Sequence, residues 1–473
     1  MRLVETELYR ADLRARMPFR YGIATLTELP HVFIRATLVV DGRTQSGVAA
    51  DHLPPKWFTK DPIRDPKEEI GDMLAAIRQA QIHAREVGAA PTLFGFWREL
   101  WDRQEAWAGA QEVPRLLAHF GTSLVERAMI DAFCRATGRP FADGLHANAF
   151  GIDLGSIHPE LEATAPADWL PAKPPQRVIA RHTVGLSDPL TETEIPVSER
   201  LDDGLPQSLE ACIATYGLRH FKLKVAAADA LPRLRAIARV LERAAPADYA
   251  FSVDGNEAFR SIAEFKALWE AVGQDPKLAP FSRRLLFIEQ PFSREVAFGV
   301  GIGSFARDWP SRPPIVIDES DSGLGSLPKA LVLGYAGTSH KNCKGVFKGI
   351  ANACLIAFRR RQGGTALLMT GEDLANIGPV ALLQDLAVQA ALGVTSVERN
   401  GHHYFAGLSF WPEELRVRMV ARHPDLYRPS ERGWPTVAID DGQVSTASVL
   451  EAPFGNGLDF RPEPYGRKLW AFP

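Results

Sequence analysis

From residue 181 to residue 400 the chain repeats one pattern: a short apolar run, polar residues at its end, then a helical stretch. The runs read RHTVGL, HFKLKV, YAFSVDG, LLFIEQ, IVIDE, AGTSHK, ALLMTGE and TSVERN. Helical segments such as residues 228–245, ADALPRLRAIARVLERAA, lie between them. Eight strand candidates alternating with helices predict an α/β fold, a (β/α)8 barrel of modified TIM type. A doubly wound sheet more often has about five to seven strands. A barrel turns the C-terminal end of every strand onto one mouth, so whatever ends these runs shares a site.

The flanks lack this rhythm. Residues 1–145 read as an α+β unit: 31–50 hold β-branched runs broken by Asp41-Gly42, a two-residue hairpin turn. Residues 121–140 read as a core helix, started by Ser123 and Glu126 at capping-box spacing and stopped by Gly138 and Pro140. A Pro-rich stretch, 163–176, leads into the barrel, which is assigned 146–410. Residues 411–473 are rich in Pro and Gly, with a hairpin at 437–446, and are expected to return to the first unit and complete a capping domain.

Composition removes several function classes. A net charge of −3, from 54 basic and 57 acidic residues, offers no field for nucleic acid. No apolar run reaches the length of a membrane span, and the charged N-terminus does not read as a signal peptide, so the expected location is the cytoplasm. Cys134, Cys212, Cys343 and Cys354 are scattered without a Cys-x-x-Cys pair, against a disulfide framework or a structural zinc site and in keeping with a reducing compartment.

The run ends carry Lys222, Lys224, Asp254, Glu289, Asp318, Lys341, Glu372 and Glu398, with 23 to 35 residues between successive strands. Asp254, Glu289 and Asp318 would converge from three consecutive strands. Three unpaired anions repel and raise one another's pKa, and a hard cation removes the conflict, so the triad predicts a Mg²⁺ (or Mn²⁺) site. Lys222 and Lys224, two apart on one strand, point to the same side, and their proximity should lower a lysine's pKa towards that of a base. Lys341 lies across the barrel from them, so a substrate at the metal would have a lysine on each face, suited to proton removal and delivery.

FKLKV, SVDGNEAF, FIEQPF, VIDES and HKNCK, in that order, resemble the barrel signature of the enolase superfamily, nearest its muconate lactonizing enzyme subgroup (the mandelate racemase/muconate lactonizing enzyme family). The likeness extends to SLVERAMIDAF and PFGNGLD, and so spans most of the chain. It implies Asp254, Glu289 and Asp318 as Mg²⁺ ligands, Lys224 and Lys341 as opposed acid/bases, and Lys222 as the group that orients Lys224. Asn256 and Glu319 would support the ligands from behind. The implied step is abstraction of the proton α to a carboxylate through an enediolate.

Lysines on both faces favour a racemase or epimerase of an α-substituted carboxylate, such as an amino-acid derivative or dipeptide. An acid-sugar or hydroxy-acid dehydratase and a cycloisomerase use the same machinery. Rivals from other classes are an inactive barrel that only binds a ligand or partner, and a metal-dependent aldolase or hydrolase. The expected partner is a small-molecule carboxylate, with no nucleic acid and no membrane; a homo-oligomer is common in the resembled family.

Other readings are weaker. KNCKGVFKG lacks the glycine pair that the family carries after its second lysine, here Lys344. Residues 299–305 read as a flexible loop, and His340 as packing. Glu372 could touch substrate, with pairing to the arginines at 359–361 as the alternative. His402 could face the mouth, with a polar loop as the alternative. Trp57, Phe58, Lys60 and residues 19–25 sit where the family's first domain closes over the mouth.

Overall fold

In the computed structural model, which describes residues 1–364 and 366–473, the chain opens with three long antiparallel strands. These are β1 (Arg2–Tyr21), β2 (Ala24–Val40) and β3 (Arg43–His52). Asp41 and Gly42 turn between β2 and β3 with φ of 49° and 79°, the left-handed pair that suits a right-twisted hairpin. Helices α1 (Pro66–Val87), α2 (Leu93–Ala110) and α3 (Arg115–Thr137) follow.

Helix α3 starts at Arg115, earlier than the capping-box spacing predicts, because Leu116, Leu117 and Phe120 continue its buried face. Ser123 caps nothing: its hydroxyl donates to Phe120 O within the helix. The stop is as read, with Gly138 left-handed at φ 64°. Arg127, fully buried, donates to Asp51 Oδ2 (2.8 Å) and Ala50 O (3.0 Å), while Asp131 Oδ2 accepts from Val48 N (2.9 Å). These bonds fasten α3 to β3. Gly47 permits the approach, since a Cβ there would lie 2.1 Å from Ala132 N.

The eight apolar runs form eight parallel strands. They are β4 (Arg177–Val184), β5 (His220–Lys224), β6 (Ala250–Asp254), β7 (Leu285–Glu289), β8 (Ile315–Ile317), β9 (Gly337–His340), β10 (Leu368–Gly371) and β11 (Ser396–Arg399). Pairing of β11 with β4, from Ser396↔Ile179 to Arg399↔His182, closes the barrel. Helices such as Ala230–Ala244 and Val346–Arg361 lie between strands. The expected loop at 299–305 is instead most of a helix, Val300–Asp308, because Ile302 and Phe305 have the spacing to bury one face.

Residues after 411 divide between the two units rather than returning whole to the first. The hairpin Ile439–Asp440 and Gln443–Ser445 joins the barrel, antiparallel to the start of β4, where Ile439 and Val444 are buried. Arg467–Phe472 alone adds to the N-terminal sheet, pairing with β1 from Thr6↔Phe472 to Arg10↔Arg467. All four cysteines are free and buried. Among the described residues no helix is long and apolar enough to cross a membrane.

Two glycines test the packing of α3. Gly47→Ala should cost about 1–3 kcal/mol through overpacking against the α3 backbone. Gly71→Ala, within α1 and open to space, should be neutral or stabilise by up to about 1 kcal/mol. Denaturant midpoints of the two variants should move in opposite directions, or Gly71→Ala not at all.

Candidate active site

Strand register builds the site. Lys224 pairs with Asp254, and Asp254 with Glu289, so three ionisable strand ends stand side by side at one level of the mouth. Asp318 follows β8 and Lys341 follows β9, continuing the ring. All five side chains, with Lys222, are buried.

Lys222 sits at the centre. Its Nζ lies 3.0 Å from Asp254, 2.9 Å from Glu289, 2.6 Å from Glu372 and 3.0 Å from Glu398. Burial opposes this ammonium, but the four carboxylates outweigh burial and hold its pKa well above the ordinary lysine value. The expectation that Lys224 would depress a neighbouring lysine therefore fails for Lys222, because its surroundings are anionic. Lys224 Nζ donates to Asp254 Oδ2 at 2.5 Å.

On the far side Lys341 Nζ donates to Asp318 Oδ2 (2.5 Å) and lies 4.6 Å from the centre of the Trp57 ring. Burial works against its charge too, but Asp318 prevails and the pKa is well above the usual range. Asp318 is held from several directions: Ser339 Oγ at 2.5 Å, Lys344 Nζ at 3.1 Å, and its backbone N on Gln290 Oε1 at 2.8 Å. Burial alone would raise its pKa, yet Lys341 and Lys344 hold it well below the carboxylate range. Lys344, whose missing glycine pair drew attention in the sequence, thus serves Asp318.

The carboxylates fit a divalent cation by donor chemistry. Three buried oxygen donors come from adjacent strands. Glu289 is the least compensated: burial, then repulsion from Asp254 and Glu372, push its pKa well up. Lys222 Nζ bonds its Oε1 at 3.0 Å and stands 2.9 Å from its Oε2, which receives no other bond. A carboxyl that shares one ammonium with three others is under-neutralised, which is what a hard cation would relieve.

Asn256 takes a left-handed φ of 40°, donates its backbone N to Asp254 Oδ1 (2.7 Å) and its amide to Glu319 Oε1 (3.1 Å). Lys60, from the cap, donates to Asn256 O at 2.5 Å and lies 3.4 Å from Glu319. Glu372 does not face the mouth: it is fully buried beneath Lys222 and pairs with Arg181, while Arg359 pairs with Glu160 instead. His402 also turns away, towards His182, because it lies on the short helix Gly401–Tyr404 outside the barrel wall. His340 faces away from Lys341, against Gly349 of the helix Val346–Arg361, and bonds Asn342. Lys224 and Lys341 line one pocket, with Glu398, and the cap supplies Phe19, Tyr21, Leu26 and Trp57 as its apolar wall.

The sequence takes Glu126 for half of a capping box and so misses its partners. From α3 its two oxygens accept from Val346 N (3.0 Å) and Phe347 N (2.7 Å), capping the helix that follows Lys344. The signal was available: a glutamate in an apolar stripe needs a partner, and Gly345 offers the helix no side-chain cap.

No protein-family model and no curated protein matches the chain. Solved structures do. A probable mandelate racemase from Alicyclobacillus acidocaldarius is 17% identical, with 99% of each chain covered and a TM-score of 0.58. An N-succinyl Arg/Lys racemase from Bacillus cereus is 12% identical, covering 100% of this chain and 99% of its own, at 0.57. A dipeptide epimerase from Enterococcus faecalis, complexed with Mg and the dipeptide L-Leu-L-Tyr, is 12% identical, covering 94% and 100%, at 0.55. Muconate lactonizing enzymes and other enolase-superfamily proteins also match. The likeness is one of fold: a TIM barrel with a capping domain.

Glu126 makes a pH prediction. Burial raises its pKa from 4.5 to about 7, against the two backbone amides. A folded-state pKa above the unfolded one means its contribution is fully present below about pH 4.5 and lost as pH rises through about 7. The melting temperature of Glu126→Gln, compared with the parent at each pH from 5 to 8, should therefore gain on it up to about pH 7 and level off above.

Proposed function

We propose that this chain is a Mg²⁺-dependent enzyme of the enolase superfamily that removes the proton α to a carboxylate, and that it racemises or epimerises an α-substituted carboxylate. The observation that carries the reading is the pair Lys224 and Lys341. They stand on the second and sixth of eight strands, line one pocket, and each is bonded to a carboxylate of the candidate metal set.

Asp254, Glu289 and Asp318 would hold the cation, which supplies Lewis-acid stabilisation of charge developing on the substrate carboxylate. The chain's own residues do the rest. Lys222 fixes Asp254 and Glu289 in place. Lys341 stays protonated while Asp318 faces it; once Asp318 is engaged elsewhere, burial favours the neutral amine, which is a base. One lysine takes the α-proton from one face of the substrate, the other returns a proton to the opposite face, and the configuration inverts. Trp57, Phe19 and Tyr21 exclude water and suit an apolar substituent, as in an amino-acid derivative or dipeptide. Asp373 offers no free charge to a substrate ammonium: it is bonded to Arg399, and burial raises its pKa to about 8.

Incubation with Mg²⁺ in deuterium oxide across N-acyl amino acids, dipeptides, hydroxy acids and sugar acids should exchange an α-hydrogen, read by proton NMR. Lys224→Ala and Lys341→Ala should each slow exchange from the face they serve by about 10²–10⁴-fold. Recovery of both configurations supports an epimerase, whereas a keto acid would identify a dehydratase. Exchange that both variants leave intact would refute the two-lysine assignment.

A further inference from the structure

Outside the barrel wall, His182 on β4, Cys212 on the helix Leu209–Tyr216 and His403 on the helix Gly401–Tyr404 meet in a buried cluster that the reaction above does not use. Among the described residues they form the group of three His, Cys, Asp or Glu side chains whose ligand atoms all lie within 4.8 Å of one another. We propose that this cluster is a structural Zn²⁺ site, separate from the carboxylates of the barrel mouth.

Two observations support it. Zinc about 2.3 Å from sulfur and about 2.0–2.1 Å from nitrogen, in tetrahedral geometry, sets an S···N edge of about 3.6 Å. Cys212 Sγ and His403 Nδ1 stand 3.5 Å apart. Behind His403, Asp188 Oδ2 lies 3.9 Å from Nε2, anchored by Tyr404 OH (2.5 Å) and Gly185 N (2.7 Å). At that distance the carboxylate balances charge without accepting the ring N–H, a weaker form of the support that carboxylates give zinc-bound histidines.

The thiol, thiolate and imidazole donors select zinc over the hard cations that suit the mouth. Binding replaces the Cys212 thiol proton, which leaves to solvent, so zinc with one thiolate and neutral imidazoles carries one net positive charge, and Asp188 faces it. The site would tie β4, the helix after it and the segment after β11 together. Tyr404, beside His403, stacks on Phe19 at 4.1 Å, so the tie reaches the wall of the pocket.

The full-length protein, stripped with chelator and then held in saturating Mg²⁺, would be titrated with Co²⁺ and followed by absorption. Expected is a thiolate-to-cobalt charge-transfer band that saturates at one equivalent and disappears on adding Zn²⁺. Cys212→Ser should abolish the band and weaken Zn²⁺ binding by at least about 100-fold, beyond the roughly 10–100-fold typical of losing a supporting group. No band in the parent protein, or a band surviving in Cys212→Ser, would leave the cluster a hydrogen-bonded packing feature and overturn the proposal. Should that variant not fold, alkylation of the parent decides: Zn²⁺ must protect the Cys212 peptide, and equal labelling with and without Zn²⁺ overturns the site.

Discussion

Lys222 carries an ammonium with no exposed surface, 2.6–3.0 Å from four carboxylates, and the barrel's interior is arranged around it. Removing such an ion from water costs several kcal/mol. Each attraction at this distance is worth on the order of 5 kcal/mol at an effective dielectric of about 20. The attractions win, but only collectively. Asp254 and Glu398 ionise readily under this cation, whereas Glu289 and Glu372 are pushed towards the neutral form by burial and by their neighbours. The cluster is therefore short of positive charge at one edge, the edge formed by Glu289, and that shortage is the physical argument for a divalent cation.

The pocket belongs to neither unit alone. The barrel supplies charge, from strand ends whose register sets them at one level. The cap supplies what charge chemistry needs around it: Trp57 against Lys341, Phe19 and Tyr21 as wall, and Lys60 bonded across to Asn256. Helix α3 makes the two parts one object. Arg127 and Asp131 fix it to β3, and Glu126 caps the barrel helix that follows Lys344. Lys344 in turn bonds Asp318, so a line of direct contacts runs from the cap sheet to the carboxylates.

The barrel was legible because its signal is local and repeated. Each apolar run has strand length, all but the first carry a charge at or near the end, and the eight runs identified are the eight strands. The companions Lys222, Asp254, Glu289, Asp318 and Lys341 were legible for the same reason, as positions at strand ends. What escaped was whatever depends on a partner distant in sequence. Glu372 looked like a mouth residue because it ends a strand, but Arg181, across the closing seam, holds it below. Glu126 looked like half of a capping box, yet its partners are more than 200 residues away. The 437–446 hairpin was visible from its turn; which sheet it would join was not, since edge pairing with β4 leaves no mark on its own residues.

The pairing of Arg467–Phe472 with β1 gives the molecule an order of assembly. During synthesis β1, β2 and β3 emerge first and can pair at once, but the outer edge of β1 waits for a strand made more than 400 residues later. Until then the backbone groups of Thr6–Arg10 on that edge are open to any other extended chain, including a second nascent copy. At translation speeds of about 5–20 residues per second that exposure lasts tens of seconds, long compared with the closing of a hairpin. Within Thr6–Arg10, Glu7 and Arg10 carry charge, which disfavours pairing with an apolar strand while the proper one is still being made.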